Sequence, residues 1–195
     1  IDAGRLAESE ALARAMIKTV GTDATVTTHL DRREALDGAD FVVTAFQVGG
    51  YDPCTVTDFD IPKKYGLRQT IADTLGVGGI MRGLRTVPVL WSIARDMTDL
   101  CPNATLLQYV NPMAINTWSL AERFPELKQV GLCHSVQNTV QELSHDLDID
   151  QSSVRDKVAG VNHVAFSLRV ETDLGGDMRD IDPCVLYTSD AADDL

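Results

Sequence analysis

Three stretches of the chain gather apolar and β-branched residues over about the length of a strand, and each stops at a residue able to bind something. Phe41-Val42-Val43-Thr44-Ala45-Phe46 runs into Gln47, residues 105–110 into Asn111-Pro112, and residues 128–132 into Cys133. A continuous apolar run of this length reads as a strand buried on both faces, the signature of a parallel sheet. Between these runs the period changes to that of a helix. Leu6, Ala13, Met16, Ile17 and Val20 fit one stripe over residues 5–20. Met81, Leu84, Val87, Leu90, Trp91 and Ala94 mark a longer helix over 80–100, which Pro88 is expected to kink or divide. Residues 113–123 and 136–147 read as two more helices, and residues 33–36 as a single helical turn ended by Gly38. Thr57 or Asp58 can cap a short helix toward Tyr65. Residues 25–30 are β-branched enough for a short strand, and Val164, Phe166, Leu168 and Val170 alternate as in a half-buried one.

Strand alternating with helix predicts an α/β fold with a doubly wound parallel sheet. Ligands of such sheets collect beyond the carboxyl ends of the strands. Gln47, Asn111 and Cys133 sit at three such ends, which makes this edge the candidate site before any family is considered.

Length and composition narrow the picture without deciding it. The chain's 195 residues suit one domain or one and a fraction, and 44% hydrophobic with 24% charged residues is ordinary for a globular protein. A net charge of −12 argues against nucleic acid and against an anionic membrane as partners. No apolar run reaches the length that spans a bilayer. The chain opens on Ile1 rather than Met, so a missing N-terminus is expected and the lack of a targeting segment carries no weight. Cys54, Cys101, Cys133 and Cys184 form no CxxC pair, which fits reduced thiols in a cytoplasmic setting.

Cys133 and His163 are the residues with metal chemistry. A thiolate and an imidazole suit a divalent transition metal, but two ligands make half a site, and a buried structural Cys and His fit the same spacing. Asn111 can donate and accept at once, which suits a sugar hydroxyl or an amide edge; as a turn former before Pro112 it needs no ligand. The G-x-G-x-x-G loop of dinucleotide-binding sheets is absent.

Several blocks together carry a resemblance. Gly131-Leu132-Cys133-His134-Ser135, Gly160-Val161-Asn162-His163, Gly38-Ala39-Asp40-Phe41, Gln47-Val48-Gly49-Gly50-Tyr51, Ala72-Asp73-Thr74-Leu75-Gly76 and Tyr109-Val110-Asn111-Pro112-Met113 resemble the family 4 glycoside hydrolases, in particular the α-galactosidase (melibiase) branch. The similarity runs over residues 1–171. It implies a Rossmann-like, lactate/malate dehydrogenase-like sheet that lacks its first strand, plus the start of a second domain. It divides the chain into a nucleotide-binding domain at 1–158, the opening of a substrate domain at 159–183, and a tail at 184–195 that departs from the pattern and is expected to be non-native and disordered.

The resemblance also assigns roles. It implies NAD and Mn²⁺ or another divalent metal, the ion held by Cys133 and His163. His134 matches the general acid, and Asp73 an acid that supports the catalytic base. Asn111, Asn162 and Arg82 match substrate contacts. Asp2 matches the acid that meets the adenosine ribose, and Ala45, Phe46, Gln47 and Gly49 the loop beside the cofactor. As bare residues, Asp2 reads equally as a solvated terminal Asp, Asp73 as a helix cap and Arg82 as part of a solvated helix face. The implied reaction oxidises C3 of the sugar, removes the proton at C2 and eliminates the glycosidic oxygen, an exception to the two-carboxylate rule of glycosidases. The implied substrate is an α-galactoside such as melibiose, and the implied full-length protein a homo-oligomer. The base, a tyrosine in the family, would lie beyond Glu171, so this polypeptide alone is expected to have little or no activity. The rival readings are a family 4 α-glucosidase, α-glucuronidase or 6-phospho-glycosidase, a 2-hydroxy-acid dehydrogenase, and a non-catalytic NAD- or metal-binding module.

Overall fold

The computed structural model describes residues 2–69 and 74–173, with the backbone of 178–181 and 187–188. A parallel sheet of β1 (Phe41–Thr44), β2 (Thr105–Gln108) and β3 (Gln129–Gly131) lies in that order, with Phe41 opposite Thr105 and Leu106 opposite Gln129. All three strands therefore end at the same edge. The ladder continues past them: Tyr109 N–H donates to Thr44 O at 3.1 Å, and Leu132 N–H to Gln108 O at 2.9 Å.

One face of the sheet is covered by α4 (Gly76–Leu100) and α5 (Met113–Arg123). Leu90, Ala94 and Met97 of α4 and Leu120 of α5 meet Leu106 of β2 and Leu36 of α2 (Arg32–Leu36), all nearly or fully buried. Of the apolar stripe read from the sequence, Leu90 and Ala94 lie in this core and Trp91 packs against it, while Met81 and Leu84 are exposed. Pro88 does not divide α4. The carbonyl that loses its N–H donor belongs to Leu84, which is 66% exposed, so water can satisfy it.

Four expectations need correction. Burial of the strands on both faces does not hold, because Phe41, Val43 and Val130 on the far side are exposed, and among the described residues nothing buries them. Residues 25–30 form no strand. They lie along α1 (Ala3–Val20), where Thr28 Oγ1 donates to Glu10 and Arg14 donates to Val26 O, and most of the stretch is exposed to solvent. Neither Thr57 nor Asp58 caps α3 (Val56–Lys64); Asp58 is buried against Arg85 of α4 instead. Of the tail expected to be disordered, Tyr187–Thr188 forms a short strand, β7, paired with Phe166 and Ala165.

The second layer is an antiparallel sheet that the sequence reading missed in part. After α6 (Ser135–Asp146), β4 (Val154–Val161) pairs with β5 (Val164–Asp173), which also pairs with β6 (Met178–Ile181). Arg155, Asp156 and Lys157 disguise β4 as loop, yet a strand at a sheet edge tolerates such charges. The division expected at 158/159 falls inside β4, beside its register shift at Lys157/Val158.

Candidate active site

Asn162-His163 form the two-residue tip of the β4–β5 hairpin, between paired Val161 and Val164. Two-residue hairpin turns need positive φ, and His163 supplies it at φ 62°. A β-branched or bulky side chain there costs conformational energy, and this one holds an imidazole that is only 7% exposed. The tip reaches the exit of β3, where Cys133 Sγ lies 3.6 Å from His163 Nε2. Metal bonds of ~2.3 Å to sulfur and ~2.1 Å to nitrogen, meeting at about 90–110°, place two such donors ~3.1–3.6 Å apart. The pair therefore fits two ligands on one ion. Among the described residues no group of three or more His, Cys, Asp or Glu side chains could hold a metal, so this pair is at most part of a coordination sphere.

His134 follows Cys133 as the first residue before α6, exposed, with its ring 6.1 Å from that of Tyr109 and tilted by 33°. The two aromatic residues leave adjacent parallel strands, which is why they meet. Gly131 ends β3 where a Cβ would come within 2.6 Å of Met113 Sδ and Thr117 Oγ1. The close approach of α5 to β3 thus requires a residue without a side chain two positions before Cys133. Asn111 is half-buried at the exit of β2. Asn162 is half-buried as well, and its Oδ1 is enclosed with no hydrogen-bond partner.

The loop after β1 forms the other side of the edge. Gln47 donates to Thr55 Oγ1, while Gly49 adopts φ 85° with Cys54 Sγ only 2.3 Å from where its Cβ would stand. Ala45 and Phe46 line a groove of about 1140 Å³ with Arg32, Val43 and Ile93; Cys133 and His163 are not among its walls. Phe46 is half-buried and packs on the core, so its ring serves the fold. Asp2 caps α1, accepting from Arg5 N–H at 3.0 Å. That backbone donor holds the exposed carboxyl below the usual carboxylate range, and a ribose contact would share the same carboxylate. Arg82 is half-buried on α4. Asp73 lies outside the described residues.

Two ionic features escaped the sequence reading because they join residues far apart. Asp58 pairs with both terminal nitrogens of Arg85, which raises the guanidinium's already high pKa. Asp96 accepts from Arg32 Nε at 2.6 Å and from Arg33, and the Arg32 bond above all holds its carboxyl below the usual range.

The model of the family 4 glycosyl hydrolases matches residues 1–149. The chain belongs to this family. It is 46% identical over 173 residues to the α-galactosidase of Bacillus subtilis (strain 168), a match covering 89% of this chain and 40% of that one. It is 40% identical over 163 residues to the probable 6-phospho-β-glucosidase of the same organism, covering 83% of this chain and 36% of that one. Among solved structures, the 6-phospho-α-glucosidase from gut microorganisms in complex with NAD and Mn²⁺ superposes with a TM-score of 0.79 at 25% identity, over 91% of this chain and 40% of that one. The chain thus spans about two-fifths of the length of these relatives. The Rossmann-like fold is shared, and family 4 structures carry NAD and Mn²⁺.

Proposed function

We propose that the full-length protein carrying these residues is an NAD- and Mn²⁺-dependent glycosidase that acts on α-galactosides such as melibiose. The observation that carries this reading is the 3.6 Å approach of Cys133 to His163 at the edge where Asn111 also emerges. The 46% identity to an α-galactosidase favours the sugar. Division into a nucleotide-binding part and a substrate part, assembly into a homo-oligomer and a cytoplasmic location belong to the same proposal.

Bound NAD would supply a reversible hydride acceptor for C3, and a bound metal a Lewis acid for the oxygen there. The chain's own residues do the rest. Cys133 and His163 hold the ion, and the backbone at the hairpin tip fixes the imidazole. His134, exposed beside the thiol, donates a proton to the departing glycosidic oxygen. Asn111 binds sugar hydroxyls through a carboxamide that both donates and accepts. Asn162, at the hairpin tip beside His163, contributes its carboxamide to the sugar. Arg82 contributes from α4 and Asp73 supports the base. Ala45, Phe46, Gln47 and Gly49 flank the cofactor, and Asp2 its ribose.

The test is an assay of the full-length protein on p-nitrophenyl α-galactoside, the α-glucoside and their 6-phospho counterparts, each with and without NAD⁺ and Mn²⁺. Turnover that needs both additives and prefers the α-galactoside is expected. Preference for a 6-phospho substrate would move the protein to another branch; cleavage without NAD⁺ and metal would overturn the class.

A further inference from the structure

Among the described residues Gln108 and Asn116 are the polar side chains buried most completely, each with no exposure at all, and no step of the proposed reaction uses either. Both bond the same residue. Gln108 Oε1 accepts from Val110 N–H, and Asn116 Nδ2 donates to Val110 O at 2.9 Å. Val110 is the residue before Asn111; the ladder continues past β2 as far as Tyr109, whose N–H donates to Thr44 O, and among the described residues no ladder bond reaches Val110 itself. Its N–H and C=O are instead gripped from the two sides by carboxamides. One comes from the strand's last residue and one from the first turns of α5, which itself leaves from Pro112. The grip therefore closes around the Val110-Asn111-Pro112 turn.

The other ends of the two amides sharpen the point. Gln108 Nε2 and Asn116 Oδ1 are buried without a hydrogen-bond partner. Leu or Met would fill the same space but would leave the buried Val110 N–H or C=O unpaired. Packing therefore does not explain these amides, but the fixed orientation of the Val110 backbone does.

We propose that Gln108 and Asn116 are positioning residues that aim the Asn111 carboxamide at the substrate. The proposal rests on the reading that Asn111 binds substrate. The experiment compares Gln108→Met and Asn116→Leu with Asn111→Ala and the double variants in the full-length protein. Three readouts are followed: kcat and KM, thermal midpoint, and amide hydrogen exchange at Val110. In Gln108→Met the Val110 amide exchanges at least about tenfold faster, because its acceptor is gone. Its kcat/KM falls by roughly 10²-fold, the scale of an ångström-sized misplacement, and the thermal midpoint falls as well, because the buried Val110 N–H is left unpaired. In an Asn111→Ala background the same substitution lowers kcat/KM less than about twofold, since its effect runs through Asn111. Gln108→Glu, which keeps the acceptor oxygen, recovers most of the loss.

Full additivity of the two losses, or unchanged exchange at Val110, would overturn the clamp. So would a kcat/KM within twofold of the parent in both single variants. If Asn111→Ala alone keeps full activity while Val110 exchange still accelerates in Gln108→Met, the clamp holds the turn and the substrate role of Asn111 is what fails.

Discussion

His163 shows how much a single residue carries here. Its φ of 62° is tolerated because the two-residue turn demands it, and the same turn sets Nε2 3.6 Å from Cys133 Sγ. His163→Ala removes one of the two proposed metal ligands. It should weaken Mn²⁺ binding by more than the ~10–100-fold typical of a lost outer partner, measured by calorimetric titration of the full-length protein. The thermal midpoint of the metal-free protein should change little by comparison. At Gly49 the limit is space as well as φ, since a Cβ would stand 2.3 Å from Cys54 Sγ. Gly49→Ala is expected to cost about 1–3 kcal/mol in denaturant unfolding. Adding Cys54→Ala should relieve only part of that, because the positive φ of 85° remains.

At the scale of elements, α2 is tied to α4 by Asp96, whose carboxylate is shared between Arg32 and Arg33. Both arginines reach solvent, which keeps the cost of Asp96→Asn near roughly 1–2 kcal/mol, below that of a fully buried pair. The pH dependence follows from the depressed carboxyl. Unfolded, Asp96 titrates near ~3.9; folded, it titrates lower. Its contribution is thus complete above that pH and drains away as pH falls toward the folded value. Acid unfolding of the parent should steepen below about pH 4, and Asp96→Asn should lose that component. Core packing at the same interface is worth more: Leu90, 1% exposed, should cost ~2–5 kcal/mol when cut to Ala.

For the molecule as a whole, the sheet has one face in the core and one open to solvent, with Phe41 68% and Val43 59% exposed. An open strand face of this kind invites association. Replacing Phe41 and Val43 by Thr should leave stability within about 0.5 kcal/mol while reducing self-association of the 195-residue chain in size-exclusion chromatography.

The parallel sheet, the long helix and the three strand exits were legible in the linear pattern, because apolar runs and helical stripes depend only on near neighbours. Cys133, His163 and Asn111 could be marked by type and by resemblance for the same reason. Tertiary structure decided the rest. The charges of β4 concealed a strand until β5 lay beside it, and residues 25–30 stayed out of a ladder because no strand met them. Asp58 with Arg85, Asp96 with Arg32, and the two amides around Val110 join positions whose neighbours exist only after folding. Local pattern fixes which face of each element is apolar; only the closing of loops brings a hairpin tip to a strand exit and two distant side chains within 3.6 Å of each other.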